Sequence, residues 1–590
     1  MENTVDKRHV AYLRDCIGNE YQQWSRDALV MIKAPTGCGK TYFILHELLY
    51  NMAKIELNFK SKYEKAGVIE NKYKSKILYL VNRKILKEQL LKECNEISLR
   101  LSLDYQKTIN IADYISIYTY QEIESQIKCG NNDPLEFYEK DELSSLKRKR
   151  EVNPFRYAVY DECHYFYTDS DFNPATVESY FYLTNNLYDT VQIFMSATIE
   201  HVSEGFEETW KMYHPSESYK IKKYVISPNY DYVDLHYFVD ETEIIELVKN
   251  GKNEKWLIFT DSIDKGNSLA ADLRKIGDSF TGNQVVCINA GYKQDEEGRE
   301  SVKELVEKDY IGKPVVIATS VLDNGVSFKD IELRNLIIMA DTREEFIQML
   351  GRKRVNGERV KVYICKRDKA YFSRRLQYVN SILECQKKYA ESINAIFGPN
   401  GSYYQQIVLN ALFSKENTYK KLKRFCYAVN GYIKRSFWAE QKLINLKSFY
   451  EQMAEAIEID KNAFLKVQAC WLEFPEEKIY SFITAETDRQ SENVKRKLAT
   501  VLEMVLDGKN EIVIISDDNK KYFKEEKRIR DLFIYFYEQD KENYERKIRK
   551  ALDQTDHAIQ PDVFNKCMSL AKLEYEMESV KKGVYIIKRK

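Results

Sequence analysis

The sequence predicts an α/β protein of two tandem domains, each a parallel sheet flanked by helices, followed by a mainly α-helical C-terminal region. Three observations carry this. Short apolar runs alternate with longer polar, helix-like stretches through about the first 370 residues, the mark of βαβ units. The runs fall into two successive series. Beyond residue 370 that rhythm gives way to helical periodicity rich in Lys, Tyr, Phe and Leu. The expected domains are residues 1–215, 216–370 and 371–590.

The first series is Ala28 to Ile32, Ile77 to Val81, Ile115 to Tyr118, Tyr157 to Tyr160 and Val191 to Met195. The second is Trp256 to Phe259, Val285 to Ile288, Val315 to Ala318, Leu336 to Met339 and Val362 to Cys365. Each run is strand length, and the two domains join between Thr198 and Tyr232. The polar stretch from Lys128 to Asn153 reads as a surface insertion. In the last third, Glu511 to Ile515 and Gly583 to Ile587 break the helical pattern, as a small winged-helix-like end would.

Of the 590 residues, 44% are hydrophobic and 31% charged, the balance of a globular chain and not of a disordered one. No apolar run approaches the roughly 18 residues of a membrane span. The start, MENTVDKRHVAYLRD, has no apolar signal core, so a cytoplasmic protein is expected. The 11 cysteines form no C-x-x-C pair and the seven histidines no zinc-like spacing, which argues against disulfides and structural zinc. A net charge of zero excludes a uniformly basic nucleic-acid binder. Locally the balance differs: residues 366–450 hold 16 Lys and Arg against 5 Asp and Glu, whereas 451–490 hold 4 against 9. Such asymmetry points to a localised anion-binding face.

The sharpest motif is Ala34-Pro-Thr-Gly-Cys-Gly-Lys-Thr41, between an apolar strand and an amphipathic helix, Tyr42 to Met52. Gly37 and Gly39 let backbone N–H groups close around phosphate oxygens, and the helix offers its positive end. Thr36 and Cys38 complete the loop, Lys40 reaches the β and γ phosphates, and Thr41 holds Mg²⁺. The second motif, Asp161-Glu-Cys-His164, ends a buried strand. Asp161 is suited to the metal and Glu162 to orienting or deprotonating the attacking water.

Together these motifs resemble the DExH-box type of superfamily 2 helicases, and the resemblance runs in order over residues 20–370. Ser196-Ala-Thr198 matches the motif that couples hydrolysis to movement, with His164 on the same path. Asn324-Gly325, downstream of Thr319, matches the fifth motif, and Gln348-Met-Leu-Gly-Arg-Lys-Arg354 the sixth. The resemblance implies two RecA-like domains with ATP between them. Gln348, Arg352 and Arg354 would act on the γ-phosphate, and Arg83, Thr119 and Thr319 would contact a nucleic-acid strand. The family's second arginine falls on Val355 here, with Arg354 one residue early, so either Arg352 or Arg354 is the finger. Ser327 stands where the fifth motif often has Asp, and Gln22 and Gln23 lie closer to the phosphate loop than an adenine-reading glutamine would. The span from Gly325 to Gln348 has room for a loop and one strand, too little for a long strand-separating hairpin.

In the accessory region, the stretches Tyr419 to Tyr427 and Tyr432 to Trp438 interleave cations (Lys420, Lys421, Lys423, Arg424) with aromatics. That suits a single strand, with cations on phosphates and rings on bases. It equally suits an amphipathic helix with its aromatics in a core. The function expected is ATP-dependent helicase or translocase activity, with DNA favoured over RNA and a single strand tracked. The alternatives are a duplex-tracking motor of a restriction or antiviral assembly and an ATP-gated nucleic-acid sensor. A protein partner could engage the C-terminal region.

Overall fold

A computed structural model describes residues 12–64, 76–131, 133–135, 138–139, 149–150, 153–251, 253–275, 284–289, 295–319, 327–397, 421–422, 424–429, 432–521, 523, 532–533, 535–536 and 558–590. The chain divides into two compact units, Met1–Pro475 and Glu476–Lys590.

The first sheet is six-stranded and parallel, in the order Ile115–Thr119, Lys76–Val81, Phe155–Asp161, Val191–Ser196, Leu29–Lys33, Ile221–Val225. Its central strands are apolar at nearly every position because helices cover both faces. Val30 and Ile32 join one core with Ile44, Leu48 and Leu101, while Leu29 and Met31 join the other with Phe166, Phe194 and Phe206. The second sheet is also parallel, in the order Val285–Ile288, Val315–Ala318, Lys255–Phe259, Leu333–Ile338, Val360–Cys365, Val233–Phe238. The fold is two tandem RecA-like domains.

All ten runs read from the sequence are strands in these two sheets. Two edge strands, Ile221–Val225 and Val233–Phe238, lie in or beside the stretch read as a junction. Val233–Phe238 alternates apolar with polar residues over Val233 to His236, as a strand does when one face meets solvent, whereas Ile221–Val225 carries two adjacent lysines, a composition that suits an exposed edge. The first sheet therefore continues past residue 215, and the chain changes domain within 226–232.

The accessory region does not begin as a separate body at 371. Helix Lys369–Phe397 packs along Phe437–Ile459, and both belong with the two RecA-like domains. The segment containing Tyr427 and Tyr432 is neither a helix nor a loose strand: Cys426–Val429 and Tyr432–Arg435 form an antiparallel hairpin. Trp438 enters the first domain's core, its ring 5.8 Å from that of Tyr180 and 6.2 Å from Phe206. At the other end of this assembly, Trp471 of Ala463–Trp471 meets Phe346 of the second domain, and Gln468 Nε2 donates to the Cys365 carbonyl at 3.3 Å. Helices 437–459 and 463–471 thus strap one RecA-like domain to the other.

Among its described residues the second unit holds helix Glu476–Leu506, strand Glu511–Ile515, the short helix Ser516–Lys520, helix Pro561–Ala571 and the hairpin Tyr575–Lys581/Val584–Arg589. The final strand lies in the middle of an antiparallel three-stranded sheet. This is the strand order of a winged helix, closed over Leu498, Leu502, Phe564, Met568 and Ile587. Among the described residues, no helix is long and apolar enough to cross a membrane.

Candidate functional site

Three neighbouring strands of the first sheet end on the same side and set out the site: Leu29–Lys33 leads into the phosphate loop, Phe155–Asp161 into Glu162, and Val191–Ser196 into Thr198. In the loop, Gly37 and Gly39 have φ of 90° and 82°, a left-handed backbone that side chains disfavour. The Ala34 amide donates to the Ser196 carbonyl at 3.0 Å, locking the loop to the neighbouring strand. Lys40 opens a helix that continues, through a π-type stretch at Phe43–Leu49, to Glu64. Its buried ammonium donates to the Ala34 carbonyl (3.1 Å) and stands 3.6 Å from the Glu162 carboxylate. The Cys38 thiol donates to the Pro35 carbonyl and is buried, so it fills space.

Asp161 is 7% exposed and accepts a hydrogen bond from the Tyr79 hydroxyl at 3.1 Å. Burial, then the adjacent Glu162 charge, pushes its carboxyl up to about 6. Burial pushes Glu162 in the same direction, but the positive charges of Lys40 and Arg352 and the Lys40 hydrogen bond hold that carboxyl below the usual range. Glu162 is therefore the ionised member of the pair, and it sits in a left-handed turn (φ 48°).

His164 is 2% exposed, and burial holds its pKa down, so the ring is neutral at pH 7. Nδ1 lies 2.8 Å from Ser196 Oγ, which accepts from the Thr198 amide at 2.9 Å. Nε2 lies 2.5 Å from Gln348 Nε2 of the second domain. Gln348 can only donate from that atom, so the ring proton is assigned to Nδ1. The two domains are thereby joined through Gln348, His164, Ser196 and Thr198.

The second domain closes the site with helix Arg343–Gly351, capped by Thr342. Arg352 is 5% exposed; its Nε donates to the Gln348 carbonyl at 3.2 Å, and its charge acts on Glu162. Arg354 donates to Ser327 Oγ at 3.0 Å and is held below its ordinary pKa mainly by burial. A methyl placed on Gly37 would stand 3.2 Å from Arg354 Nη1, so this guanidinium lies at the phosphate loop. One placed on Gly351 would meet Thr36 Oγ1 at 2.3 Å. The cleft is closed.

Of the expected strand contacts, Arg83 precedes helix Lys84–Tyr105 without a capping bond from its side chain and lies 3.6 Å from Asp169, with its Nε buried and without a hydrogen-bond partner. Thr119 forms a capping box with Glu122, and the Thr319 amide donates to the Ile288 carbonyl at 3.2 Å. Gly325, Lys420 and Lys423 lie outside the described residues. Arg424 is 3.5 Å from Asp171, Lys442 bonds the same carboxylate at 2.5 Å, and Tyr427 and Lys434 both donate to Glu178 at 2.7 Å. These accessory cations are matched to acidic residues of the first RecA-like domain.

Sequence reasoning passed over Tyr12, Leu13, Tyr79 and Tyr120. The Leu13 amide donates to the Cys38 carbonyl at 2.8 Å, and the Tyr12 ring lies beside Gly39. The two buried tyrosines read as ordinary core positions, and only their hydroxyls, which point at Asp161, distinguish them. Asp27, His214 and Glu217 also converge, but the Lys220 ammonium already lies 2.7 Å from both carboxylates, so the group is an ion-pair cluster.

Residues 2–201 match the family model described as type III restriction enzyme, res subunit. Sequence comparison with curated proteins gave no match. Among solved structures, Saccharomyces cerevisiae Dbp5 bound to RNA and ADP BeF3 is similar at 13% identity and a TM-score of 0.38, over 59% of this chain and 81% of that one. A DEAD box protein from Methanococcus jannaschii has 18% identity and a TM-score of 0.30, over 60% and 85%. Mycobacterium smegmatis helicase Lhr bound to ssDNA and AMP-PNP has 15% and 0.40, over 63% and 47%.

Proposed function

We propose that this chain, whose motor is of the superfamily 2 helicase type, hydrolyses ATP between its two RecA-like domains and uses the cycle to step along nucleic acid. The observation that carries the reading is the meeting of Lys40 and Glu162 from one domain with Arg352 and Arg354 from the other inside one closed cleft. The amides of the loop from Thr36 to Thr41 and the Lys40 charge would hold the phosphates.

The residues present fit a magnesium ion. Asp161 is a buried carboxyl whose ionisation is penalised by burial and by the Glu162 charge, a penalty that a divalent cation would relieve, and it lies at the strand end beside the loop that carries Thr41. Bound there by Thr41 and Asp161, Mg²⁺ would neutralise charge on the phosphate oxygens. Glu162, already ionised, orients the water and takes its proton. Arg352 and Arg354 face the charge that grows on the transferred phosphoryl group, the role for which a finger is worth about 10³ to 10⁵ in rate. Opening the cleft separates Gln348 from His164, which ties domain movement to the state of the site.

Arg83 and Thr119 in the first domain and Thr319 in the second are proposed to hold one strand across both domains, with the basic segment around Arg424 extending the path. A single DNA strand is the favoured track. A second reading, a duplex-tracking motor of a restriction or defence assembly, draws support from the family match over residues 2–201. It also fits the short span from Ser327 to Gln348, whose described elements are one strand and the first part of one helix.

The test is ATP turnover with single- and double-stranded DNA and RNA of one sequence, with Lys40→Ala as the inactive control. Stimulation by any of the four supports the reading, and the stimulating form selects between the two versions. Turnover indifferent to all four overturns it.

A further inference from the structure

We infer that Tyr120 is a positioning residue for nucleic-acid-stimulated hydrolysis, its buried hydroxyl tying the strand-contacting end of helix Tyr120–Lys128 to the turn that presents Glu162. The inference rests on the proposed function and adds to it the residue through which a bound strand is felt at the ATP site.

Glu162 occupies a left-handed backbone conformation that a non-glycine residue keeps only where its surroundings hold it. Two bonds grip the residues on either side. The Cys163 amide donates to the Met195 carbonyl at 3.0 Å, and the Tyr120 hydroxyl donates to the Asp161 carbonyl at 3.0 Å. Tyr120 is fully buried, and its ring lies nearly flat on that of Tyr165, with centroids 4.9 Å apart and planes 8° apart.

The next residue on the same helix face, Glu124, is four positions on. Its carboxyl accepts from the Tyr165 hydroxyl at 3.1 Å, from Ser179 Oγ at 3.1 Å and from Asn173 Nδ2 at 2.6 Å. One helix face therefore grips the catalytic turn at both ends, before Glu162 and after His164.

The other end of this helix is its N-terminus, where Thr119 is the cap. It is fastened to the segment carrying Arg83: Gln121 Nε2 donates to the Asn82 carbonyl at 2.9 Å, and Lys87 pairs with Glu122 at 2.8 Å. A phosphate drawn to Arg83 and Thr119 thus acts on a body whose buried face is bonded to the residue before the catalytic base. Any displacement of that body reaches the Asp161 carbonyl through a single side chain.

Tyr120→Phe removes the hydroxyl and leaves the ring stack in place. The measurement is kcat and ATP KM, with and without saturating nucleic acid, together with nucleic-acid affinity. The expected result is a roughly tenfold fall in the ratio of stimulated to basal kcat, with affinity and ATP KM within about twofold of wild type. Glu124→Gln, which disturbs the second grip and spares the first, is expected to lower the same ratio by less. A role confined to packing would reduce basal and stimulated rates in proportion; an unchanged ratio in both variants, with the wild type stimulated, overturns the inference while leaving the proposed function intact. A wild type that no nucleic acid stimulates overturns both.

Discussion

Replacing Gly351 with alanine adds one methyl group at a tight approach between the two RecA-like domains. The added carbon would lie 2.3 Å from Thr36 Oγ1, 3.3 Å from its Cβ and 3.5 Å from its Cγ2. Thr36 is β-branched, so rotating its hydroxyl away brings another branch toward the same space, and the approach to Cβ stays tight. The cleft must widen. Overfilling a packed site costs about 1–3 kcal/mol, and here the cost falls on the closed state alone, lowering its population by about 5- to 150-fold. Gly351 does not have positive φ, so alanine meets no backbone strain, and within a helix it is favoured over glycine by up to about 1 kcal/mol. Turnover at saturating ATP and nucleic acid should fall at least fivefold while the melting temperature holds or rises. Wild-type turnover in Gly351→Ala would refute the identification of this closed cleft with the hydrolysing state.

Arg354→Ala, and to a similar or greater degree Arg352→Ala, should lower kcat strongly with little change in ATP affinity, because a finger acts on transition-state charge; wild-type kinetics in the double variant would remove both from the site. Burial pushes Glu124 up to about 7, against about 4.5 in an unfolded chain, so its contribution to stability is full below about pH 4.5 and lost as pH rises through about 7. Relative to wild type, Glu124→Gln should therefore gain up to about 3 kcal/mol between pH 5 and pH 8 in urea unfolding, and a pH-independent difference would contradict the assignment. Neutralising Lys420, Lys421, Lys423 and Arg424 together should weaken single-strand binding and reduce its log–log salt slope by about 0.7 for every phosphate these cations had neutralised. If neither moves, these cations serve the docking seen between Arg424 and Asp171.

The two sheets were legible because buried parallel strands are written as unbroken apolar runs, and the phosphate loop because its glycines and lysine are dictated by local backbone geometry. The edge strands Ile221–Val225 and Val233–Phe238 were not, since Lys222 and Lys223 in the first and Asp234 and His236 in the second break the apolar run that marks a buried strand. Distance in sequence hid more. Trp438 lies in a basic, aromatic stretch that reads as a surface for nucleobases, yet it completes a core some 230 residues upstream, above Gly205, where any side chain would collide with it. Tyr120 and Glu124 show the same limit within the site, because nothing in a buried helical position reveals that its hydroxyl or carboxyl meets the turn that carries Glu162.

The strap formed by Phe437–Ile459 and Ala463–Trp471 gives the two RecA-like domains a second connection beside the peptide that runs through residues 226–232. The halves are consequently closed into a ring, held bivalently, and each stays at high effective concentration near the other however wide the cleft swings. A single cut in the 226–232 peptide should not release them: the nicked chain should elute as one species and keep hydrolysing ATP. Severing that same peptide in a variant whose Trp438 anchor is replaced by alanine should let the ring fall open.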